Sequence, residues 1–425
     1  MAALIVFVVL LLIGAPIALV MAMSGLAGAV SIGGPDFLAV IADRMFSGVS
    51  GFLLMAVPYF IFTAELMNQA GLTQRLIDFN NALLGRIRGA LSHVNITTSL
   101  FFAGLTGAAI TDTVAIGKIM IPAMKKQGYR AEYAAAVTAC SSIVGPIVPP
   151  SIVMVVYASM LRDVSVLSLF VAGIVPGVLM TVSMLVVSIW LAWRHKFPVD
   201  GEGGLRLALR AFLPTVPALL VPVIILAGIL SGLSTVTEAS AFAAVYALLI
   251  GALVYRNLSW EALRTALVNT VRLSGVVFFL LGASTVLGWY VTRSGITREA
   301  AEFIASVSTD PTTQIMLVNV LLLLIGTVVD VLPALVVTAP VLVPAMVQLG
   351  FDPLHFAIVM IVTLNVGNIT PPVGMTLMTA AQIARVSYER AIVASLPFYL
   401  SHVAVIVIVS LWPQLVLWLP RLWVG

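Results

Sequence analysis

The 425 residues are 61% hydrophobic and only 9% charged, whereas ordinary soluble domains carry about 25% charged residues. A water-soluble fold cannot hide this much apolar surface, so the composition predicts an all-α polytopic membrane protein. The net charge of +4 is no sign of nucleic-acid binding in such a chain, and a single cysteine, Cys140, excludes an internal disulfide framework and a cysteine-based zinc site.

The chain opens with an uncharged apolar run from Met1 to Pro35. This run lacks the basic start of a secretory signal and is far longer than the roughly 7–15 residues of a signal's apolar core, so we predict a retained first span. Similar runs recur along the chain, and each reaches the roughly 20 residues that a helix needs to cross a bilayer. Threading them predicts about nine full crossings with the N-terminus in the cytoplasm.

The stretch from Gly89 to Met124 does not read as a simple crossing. Basic residues flank it at both ends: Arg86 and Arg88 before it, Lys125 and Lys126 after it. Its last part, Thr113 to Met124, makes about 18 Å of helix, too short for an apolar core of roughly 30 Å. We therefore predict a re-entrant helical hairpin that turns near "GLTGAAITDT", Gly104 to Thr113.

A broken helix follows the hairpin. The sequence "GPIVPPSI", Gly145 to Ile152, sets two prolines inside an apolar stretch. Proline removes a backbone donor and costs about 3 kcal/mol in a helix interior, so the helix is expected to be discontinuous and to leave carbonyl groups free. The same Gly-x-x-x-Pro-Pro spacing returns in "GNITPPVG", Gly367 to Gly374.

The second half of the chain repeats the first. A shift of 222 residues aligns Pro122-Ala123-Met124 with Pro344-Ala345-Met346 and Gly145 with Gly367, while a shift of 224 aligns Gly71 with Gly295. The two units run roughly over 47–193 and 274–413. The second hairpin is then the stretch 311–350, which has Asp310 and Asp352 at its ends, contains no base and turns near Gly326 to Asp330.

Charge gives the orientation of the two units. The first unit continues after its Pro-Ala-Met as "KKQGYR", and the second continues as "VQLGFD" with no base. Because cytoplasmic loops concentrate Lys and Arg, equivalent loops face opposite sides and the repeats are inverted. The bases predicted to be cytoplasmic are Arg75, Arg86, Arg88, Lys125, Lys126, Arg130, Arg194, Lys196, Arg206, Arg210, Arg256, Arg264, Arg272, Arg385 and Arg390. Those predicted to be external are Arg44, Arg162, Arg293, Arg298 and Arg421.

Inverted repeats with broken helices and hairpin turns are typical of secondary transporters, in which half-helix N-termini face an anionic substrate and freed carbonyls coordinate Na⁺. We predict one Na⁺ site at each hairpin tip, built from hard oxygen donors. Site 1 comprises Gly104, Thr106, Gly107, Ser141, Ser142, Gly145 and Ser151. Site 2 comprises Gly326, Val329, Asn365, Gly367, Thr370 and Gly374. The alternative for each motif is a packing notch or kink, since Gly and Pro are frequent in membrane helices.

Two carboxylates follow the hairpin turns, Asp112 and Asp330. An intramembrane carboxylate is a candidate for binding a cation or relaying a proton, and helix capping or structural pairing is the alternative. The turn residue Ala108 and the second proline of each break, Pro150 and Pro372, are further candidates for contact with substrate or coupling ion. The chain has no HExxH, GxSxG or phosphate-loop motif, so we expect no enzyme activity and no cofactor beyond Na⁺ as the coupling ion.

Four segments together carry a family resemblance: "GLTGAAITDTVAIGKIMIPAMKKQGY", "SSIVGPIVPPSIVMVVY", "STVTEASA" and "FDPLHFAIVMIVTLNVGNITPPVGMTL". The chain closely resembles the large membrane (M) subunit of tripartite ATP-independent periplasmic (TRAP) transporters over nearly its whole length. The resemblance implies an inverted-repeat elevator-type fold with two re-entrant hairpins and two discontinuous helices. It also implies Na⁺-driven uptake of a small organic acid across the bacterial inner membrane.

The resemblance further implies two partners, a periplasmic substrate-binding protein (P type) and a small four-helix membrane subunit (Q type). In this family the first hairpin turn commonly reads Ser-Gly-Ser. Here Thr106 keeps a hydroxyl and Ala108 lacks one, which weakens a side-chain role for Ala108 and leaves backbone coordination. The second break, Gly367 to Gly374, matches without departure.

These observations divide the chain into a scaffold and a transport domain. The predicted parts are 1–44, an N-terminal span and amphipathic segment; 45–88, scaffold of repeat 1; 89–193, transport-domain half 1; 194–272, linker and scaffold; 273–310, scaffold of repeat 2; and 311–425, transport-domain half 2. A C4-dicarboxylate or similar carboxylate is the default substrate. The alternatives are proton coupling through the two carboxylates and a passive anion channel on the same fold.

Overall fold

The computed structural model describes residues 2–34, 38–161, 163–199 and 204–424, and of residues 33, 38–40, 105, 106 and 205 it describes the backbone alone. All regular elements in these ranges are helices, and none is a strand. Arg162, one of the predicted external bases, and the side chain of Thr106 lie outside the described part of the chain.

The predicted first span is divided into two helices. Helix α1 runs Ala2–Leu12 and α2 runs Ile17–Gly33, and α1 packs against α2. Between them Gly14 has a left-handed φ of 76°, and Pro16 disfavours a helical conformation at the residue before it. Helix α3, Leu38–Val49, then leads to the first repeat.

The first repeat contains the predicted hairpin and the predicted broken helix. A short 3₁₀ segment, Phe52–Met55, precedes its helices, which are α4 (Ala56–Gln69), α5 (Leu72–Leu84), α6 (Ala90–Thr106), α7 (Ala109–Lys126), α8 (Ala131–Ser142), α9 (Ile152–Met160) and α10 (Val166–Arg194). Helices α6 and α7 are the two arms of the hairpin. Helices α8 and α9 are the halves of the broken helix, separated by the Gly-x-x-x-Pro-Pro motif.

The segment between the repeats contributes α11 (Leu205–Phe212), α12 (Val216–Leu230), α13 (Val236–Leu249) with a π turn at Ile250–Val254, and α14 (Trp260–Ser294). Helices α11 and α12 meet at 61°. A capping box starts α13, in which Thr235 and Glu238 satisfy each other's backbone N–H groups. Helix α14, about 52 Å long, packs along α2, α3 and α4.

The second repeat follows the same order as the first. Its helices are α15 (Ile296–Val307), α16 (Pro311–Val328), α17 (Val331–Gln348), α18 (Pro353–Gly367), α19 (Met375–Ala384), α20 (Tyr388–Leu411) and α21 (Pro413–Trp423). Helices α16 and α17 form the second hairpin, and α18 and α19 are the halves of the second broken helix.

Hydrogen bonds show that the first hairpin folds back on itself. The Asn95 amide donates to the Thr138 hydroxyl (2.7 Å), and one turn further along both helices the hydroxyls of Ser99 and Ser141 are bonded (2.8 Å). Helices α6 and α8 therefore run in the same direction, and α7, which joins the end of one to the start of the other, runs back between them.

The second hairpin follows the same rule. The Thr363 hydroxyl donates to the Asn319 carbonyl oxygen (3.1 Å), and Gly326 meets Gly367 further along both helices. Helices α16 and α18 are thus parallel neighbours, and α17 returns between them. Asn319 corresponds to Asn95 at the shift of 224, so the repeats share an asparagine in this position.

By length and composition, seven helices in the described residues are able to cross a membrane, and eight if the bent pair α11 and α12 is one span. The shorter halves of the broken helices fall below that length, as expected for interrupted spans. Helix α18 is buried at every residue from His355 to Gly367 because it is apolar on all sides and sits between α16, α17 and α20. The chain is a multi-pass membrane protein.

Two contacts join segments whose bases are all predicted to be cytoplasmic. Arg75 stacks on Tyr255 next to Arg256, and the Lys125 ammonium donates to the carbonyl of Ala384 beside Arg385 (3.1 Å). The Thr285 hydroxyl donates to the carbonyl of Arg44 (2.9 Å), one of the predicted external bases. The orientation of the chain in the membrane stays a prediction.

Candidate functional site

Each hairpin tip lies against the break of the helix that follows it. We call the first such contact junction 1, formed by residues 104–112 and 145–152, and the second junction 2, formed by residues 326–330 and 367–376. The predicted residues of site 1 and site 2 belong to these two regions, apart from Ser141, Ser142 and Asn365, which precede the breaks on α8 and α18.

Glycines allow the backbone contact at junction 1. A Cβ at Gly107 would lie 2.9 Å from the amide nitrogen of Ile152 and 3.3 Å from the carbonyl oxygen of Pro150, and one at Gly104 would lie 3.3 Å from the carbonyl oxygen of Pro149. Gly107 also has a left-handed φ of 59°, which only glycine adopts readily. The tip of the first hairpin thus touches the Pro-Pro break directly, backbone against backbone.

The serines predicted for site 1 have separate tasks. The Ser151 hydroxyl donates to the carbonyl of Pro146 (2.6 Å) and accepts from the N–H of Met154 (3.3 Å), so it caps α9 inside the break. Ser141 bonds Ser99 on α6, and the Ser142 hydroxyl donates to the carbonyl of Thr138 (2.8 Å). Ser141 therefore joins α6 to α8 below the tip, Ser142 bonds within α8, and Ser151 lies at the junction itself.

Two glycines form the closest approach at junction 2. A Cβ at Gly367 would lie 2.7 Å from Cα of Gly326 and 2.9 Å from the carbonyl oxygen of Leu323. The N–H of Gly374 donates to the carbonyl of Thr327 (3.0 Å), which ties the end of the break to the hairpin. Val329 adopts an extended conformation at the end of α16, so the chain opens there and exposes its carbonyl groups.

Junction 2, together with Asn365 just before it on α18, has buried side-chain oxygens that lack a hydrogen-bond donor among the described residues. They are Oδ1 of Asn365, Oδ1 of Asn368 and Oγ1 of Thr376, and all three residues are fully buried. An uncompensated buried oxygen costs about 1–3 kcal/mol, so a set of three needs a partner. The Thr370 hydroxyl, by contrast, donates to the carbonyl of Val366 (2.7 Å).

Both carboxylates singled out in the sequence lie at the junctions. Asp330 accepts a hydrogen bond from the Asn368 amide (2.8 Å), which links the second tip to the second break. Asp112 is fully buried, and a Cβ at Gly145 would collide with its Oδ2 atom. Asp112 thus faces Gly145, the first glycine of its break, and Asp330 faces Asn368, the residue after the first glycine of its break.

The two junctions each bring two helix N-termini together. Helices α7 and α9 begin at junction 1, and α17 and α19 begin at junction 2. The return arms also cross over, because α7 packs against α19 and α17 packs against α9. Partial positive charge therefore concentrates where the two halves meet, which suits an anion.

The prolines differ between the junctions. Both Pro149-Pro150 and Pro371-Pro372 bonds are cis, yet Pro150 is buried whereas Pro372 is exposed. Ala108 is half-buried in an extended conformation directly before α7.

Of the described junction 2 oxygens, sequence reasoning missed Asn368 and Thr376. The amide of Asn368 inside "GNITPPVG" was the available signal.

The donors at junction 2 are oxygen atoms of the kind that a sodium ion takes. Na⁺ is a hard cation that takes oxygen ligands, and the three partnerless oxygens lie beside a backbone opened by a break and a hairpin end. At junction 1 the fit rests on the backbone carbonyls of Pro149 and Pro150, which the glycines of the tip approach closely.

Comparison with known proteins places these features in context. The family described as "Tripartite ATP-independent periplasmic transporter, DctM component" matches residues 4–415. The sialic acid TRAP transporter large permease protein SiaM of Vibrio cholerae is 35% identical over 384 residues, covering 90% of each chain. The C4-dicarboxylate TRAP transporter large permease protein DctM of Pseudomonas aeruginosa is 33% identical over 403 residues, covering 94% of each.

A solved structure shares the fold. The YdaH transporter of Alcanivorax borkumensis superposes with a TM-score of 0.66 at 14% identity, covering 97% of this chain and 98% of its own. At that identity the likeness speaks for the arrangement of helices alone.

Proposed function

The chain belongs to the DctM family of tripartite ATP-independent periplasmic transporters as a large membrane permease subunit. From this premise we propose that it couples the uptake of a small organic acid to Na⁺ by an elevator movement. It is a multi-pass inner-membrane protein and a transporter subunit rather than an enzyme. Membership of the family implies a periplasmic binding protein and a small membrane subunit as partners.

The observation that carries the Na⁺ proposal is the glycine-to-glycine contact of junction 2 together with the buried oxygens of Asn365, Asn368 and Thr376. Backbone freed by a helix break is stable within a membrane only inside protein or beside a polar cavity. A monovalent cation at this place would supply the missing partner for those oxygens. It would also hold the hairpin tip against the break, which couples ion binding to the position of the hairpin.

The substrate class rests on charge and on the relatives. Four helix N-termini meet at the two junctions and favour an anion there. The relatives named above are permeases for sialic acid and for C4-dicarboxylates, both carboxylates. We therefore propose a small organic acid for this chain, with a C4-dicarboxylate as the first candidate to test.

The elevator proposal follows from how the helices are grouped. Both hairpins and both broken helices pack together through α7, α8, α9, α17 and α19, whereas α2, α3 and α4 pack on the long helix α14, and α13 packs on α4. The first group would move as one body that carries both junctions, and the second would remain as the scaffold. Residues 89–193 and 311–425 would then form the moving body.

The test is reconstitution of the chain with its binding protein and small subunit in vesicles. Uptake of candidate acids is measured with and without an inward Na⁺ gradient, and the expected result is accumulation above the external concentration only with Na⁺. Replacing Thr106 or Asn365 by Ala is expected to raise the Na⁺ concentration required for uptake.

The alternatives give different outcomes in the same vesicles. Uptake that follows a pH gradient without Na⁺ would indicate proton coupling, for which Asp330 and Asp112 at the junctions are the candidate groups. Equilibration without accumulation would indicate a passive anion channel. Either result would overturn the Na⁺ proposal.

A further inference from the structure

A cavity lies away from both junctions, at the end of the bundle that charge assigns to the cytoplasm. Its volume is about 700 Å³, and it is bounded by the start of α8, the end of α10 with the segment after it, and the start of α20. Its lining includes Arg130, Tyr133, Lys196, Phe197, Arg390 and Val393. None of the proposed Na⁺-site residues lines this cavity.

The rim of the cavity is basic. It carries Arg130, Lys196 and Arg390, with His195 beside them, against two acids, Glu132 and Glu389. Glu132 forms a salt bridge with Arg130 (2.6 Å). The pKa of Glu132 is lowered by its own backbone hydrogen bond, then by the hydrogen bond and charge of Arg130, and also by the charge of Arg390. Within the described residues Lys196 and Arg390 belong to no salt bridge, so an anion in the cavity can reach both.

The floor of the cavity is aromatic and rigid. The rings of Tyr133 and Phe197 lie 4.8 Å apart between centroids. The Tyr133 hydroxyl is hydrogen-bonded to Ser92 (2.6 Å), and Ser92 to Ser188 (2.7 Å), so the polar end of the ring is occupied inside the protein. The face that remains toward the cavity is therefore apolar.

One side of the cavity opens onto the lipid-facing surface. Val393 is 67% exposed, and exposed Leu396 and Leu400 continue its row along α20. On the last turns of α10, which also carry the cavity residues Leu191 and His195, Trp190 and Trp193 are exposed. Tryptophan at the end of a membrane helix marks the level of the lipid headgroups, so the basic rim lies where a phosphate would be. An apolar groove leads away from it toward the bilayer core.

We propose that this cavity binds the headgroup of an anionic phospholipid of the cytoplasmic leaflet, with the phosphate between Lys196, Arg390 and Arg130 and an acyl chain along α10 and α20. Basic pockets between membrane helices on the cytoplasmic side suit such headgroups. The inverted repeat gives an internal contrast. The position equivalent to Arg130 is Asp352, and the segment that ends there, "VQLGFD", contains no base and is predicted to lie on the outer side.

The experiment uses the purified full chain in neutral detergent. Short-chain phosphatidylglycerol is added, with phosphatidylcholine of the same chain length as the comparison, and the concentration needed for a given rise in Tm is measured. We expect phosphatidylglycerol to raise the Tm at concentrations where phosphatidylcholine does not. Arg390→Gln is expected to weaken this response about fivefold, and adding Lys196→Asn about 30-fold in total.

The variants are chosen to preserve the fold. Lys196 has a left-handed φ of 51°, and asparagine tolerates that conformation, so Lys196→Asn removes charge without backbone strain. Arg206→Gln with Arg210→Gln on α11 is the matched control, because it removes two exposed bases from the same end outside the cavity. Glu389→Gln removes an acid from the rim and is expected to strengthen the response.

Each outcome decides the proposal. A selective loss in the Lys196 and Arg390 variants, with a normal response in the α11 control, supports it. An equal loss in the control would mean diffuse attraction between charges and would overturn it. If inorganic phosphate or glycerol 3-phosphate alone gave the same rise in Tm, the cavity would be a site for a soluble phosphate and not for lipid. If Arg390→Gln failed to fold, the Lys196→Asn and Glu389→Gln variants would still test the prediction with opposite signs.

Discussion

Gly367→Ala tests whether junction 2 holds the coupling ion. The new Cβ would lie 2.7 Å from Cα of Gly326, about 0.8 Å closer than the roughly 3.5 Å at which carbon atoms attract each other. Because the neighbouring atoms are backbone, they cannot rotate away, and the hairpin tip must shift by that distance. Binding sites need their ligands held within about 0.5 Å, so the shift exceeds what a cation cage tolerates.

The expected result is at least about a tenfold rise in the Na⁺ concentration for half-maximal uptake, or about 1.4 kcal/mol. Overpacking costs roughly 1–3 kcal/mol of stability, and the better helix propensity of Ala returns up to about 1 kcal/mol, so the variant should still fold. The assay is uptake into vesicles over a series of Na⁺ concentrations, with thermal unfolding of the same preparation.

The matched control is Gly275→Ala on α14, where a Cβ meets no atom within 4 Å. This variant should keep the wild-type Na⁺ dependence and equal or exceed the wild-type stability. If Gly367→Ala behaved in the same way as Gly275→Ala, the backbone contact with Gly326 would have no part in ion binding, and the reasoning from junction 2 would be refuted.

Three further predictions concern single side chains. Asn365→Ala removes a buried carbonyl oxygen that lacks a donor among the described residues, together with the hydrogen bond from its amide to the carbonyl of Ile361 (2.8 Å). It should raise the Na⁺ requirement in vesicle uptake and cost about 1 kcal/mol in thermal unfolding. Ser151→Ala removes the cap of α9 and Ser165→Ala the cap of α10; each should cost about 1 kcal/mol in thermal unfolding, but only Ser151→Ala should change Na⁺ dependence. Asp310 caps α16, and hydrogen bonds from the N–H and the hydroxyl of Thr313 lower its pKa. The stabilising effect of the Asp310 carboxylate should be present above its unfolded pKa of about 3.9 and lost as pH falls through its lower folded pKa. The difference in Tm between wild type and Asp310→Ala should therefore shrink between about pH 7 and pH 3.

The architecture was predictable because its signals are local. Proline in an apolar run has one physical outcome, and both broken helices are found at the two Gly-x-x-x-Pro-Pro motifs. The hairpins followed from helix length and flanking charge, and the hydrogen bonds between α6 and α8 confirm that the first one folds back. Whether the turns stop within the bilayer stays a prediction.

The turn within the first span and the different hydrogen-bond partners of the serines were harder to predict from the sequence. The run from Met1 to Pro35 has a uniform composition, and only Gly14 and Pro16 hint at the turn between α1 and α2. Ser141 and Ser151 are both hydroxyls near the first break, so their chemistry alone does not separate them. Their different partners, Ser99 on α6 and the carbonyl of Pro146, depend on how the helices pack in three dimensions.

The two junctions show that an inverted repeat need not produce two identical sites. At the shift of 222, Asp330 corresponds to Ala108 and Asp112 corresponds to Ala334, so neither carboxylate has an acidic counterpart in the other repeat. Even so, each reaches the first glycine of its break or the residue after it: Asp112 from within α7 toward Gly145, and Asp330 from the end of the turn toward Asn368. The repeat supplies the backbone geometry, and the side chains differ: junction 2 brings in the amide of Asn368 and the hydroxyl of Thr376, whose buried oxygens lack a donor among the described residues. A cation that binds through side-chain oxygen as well as backbone is therefore expected to hold more tightly at junction 2. Variants there should change ion dependence more than equivalent variants at junction 1.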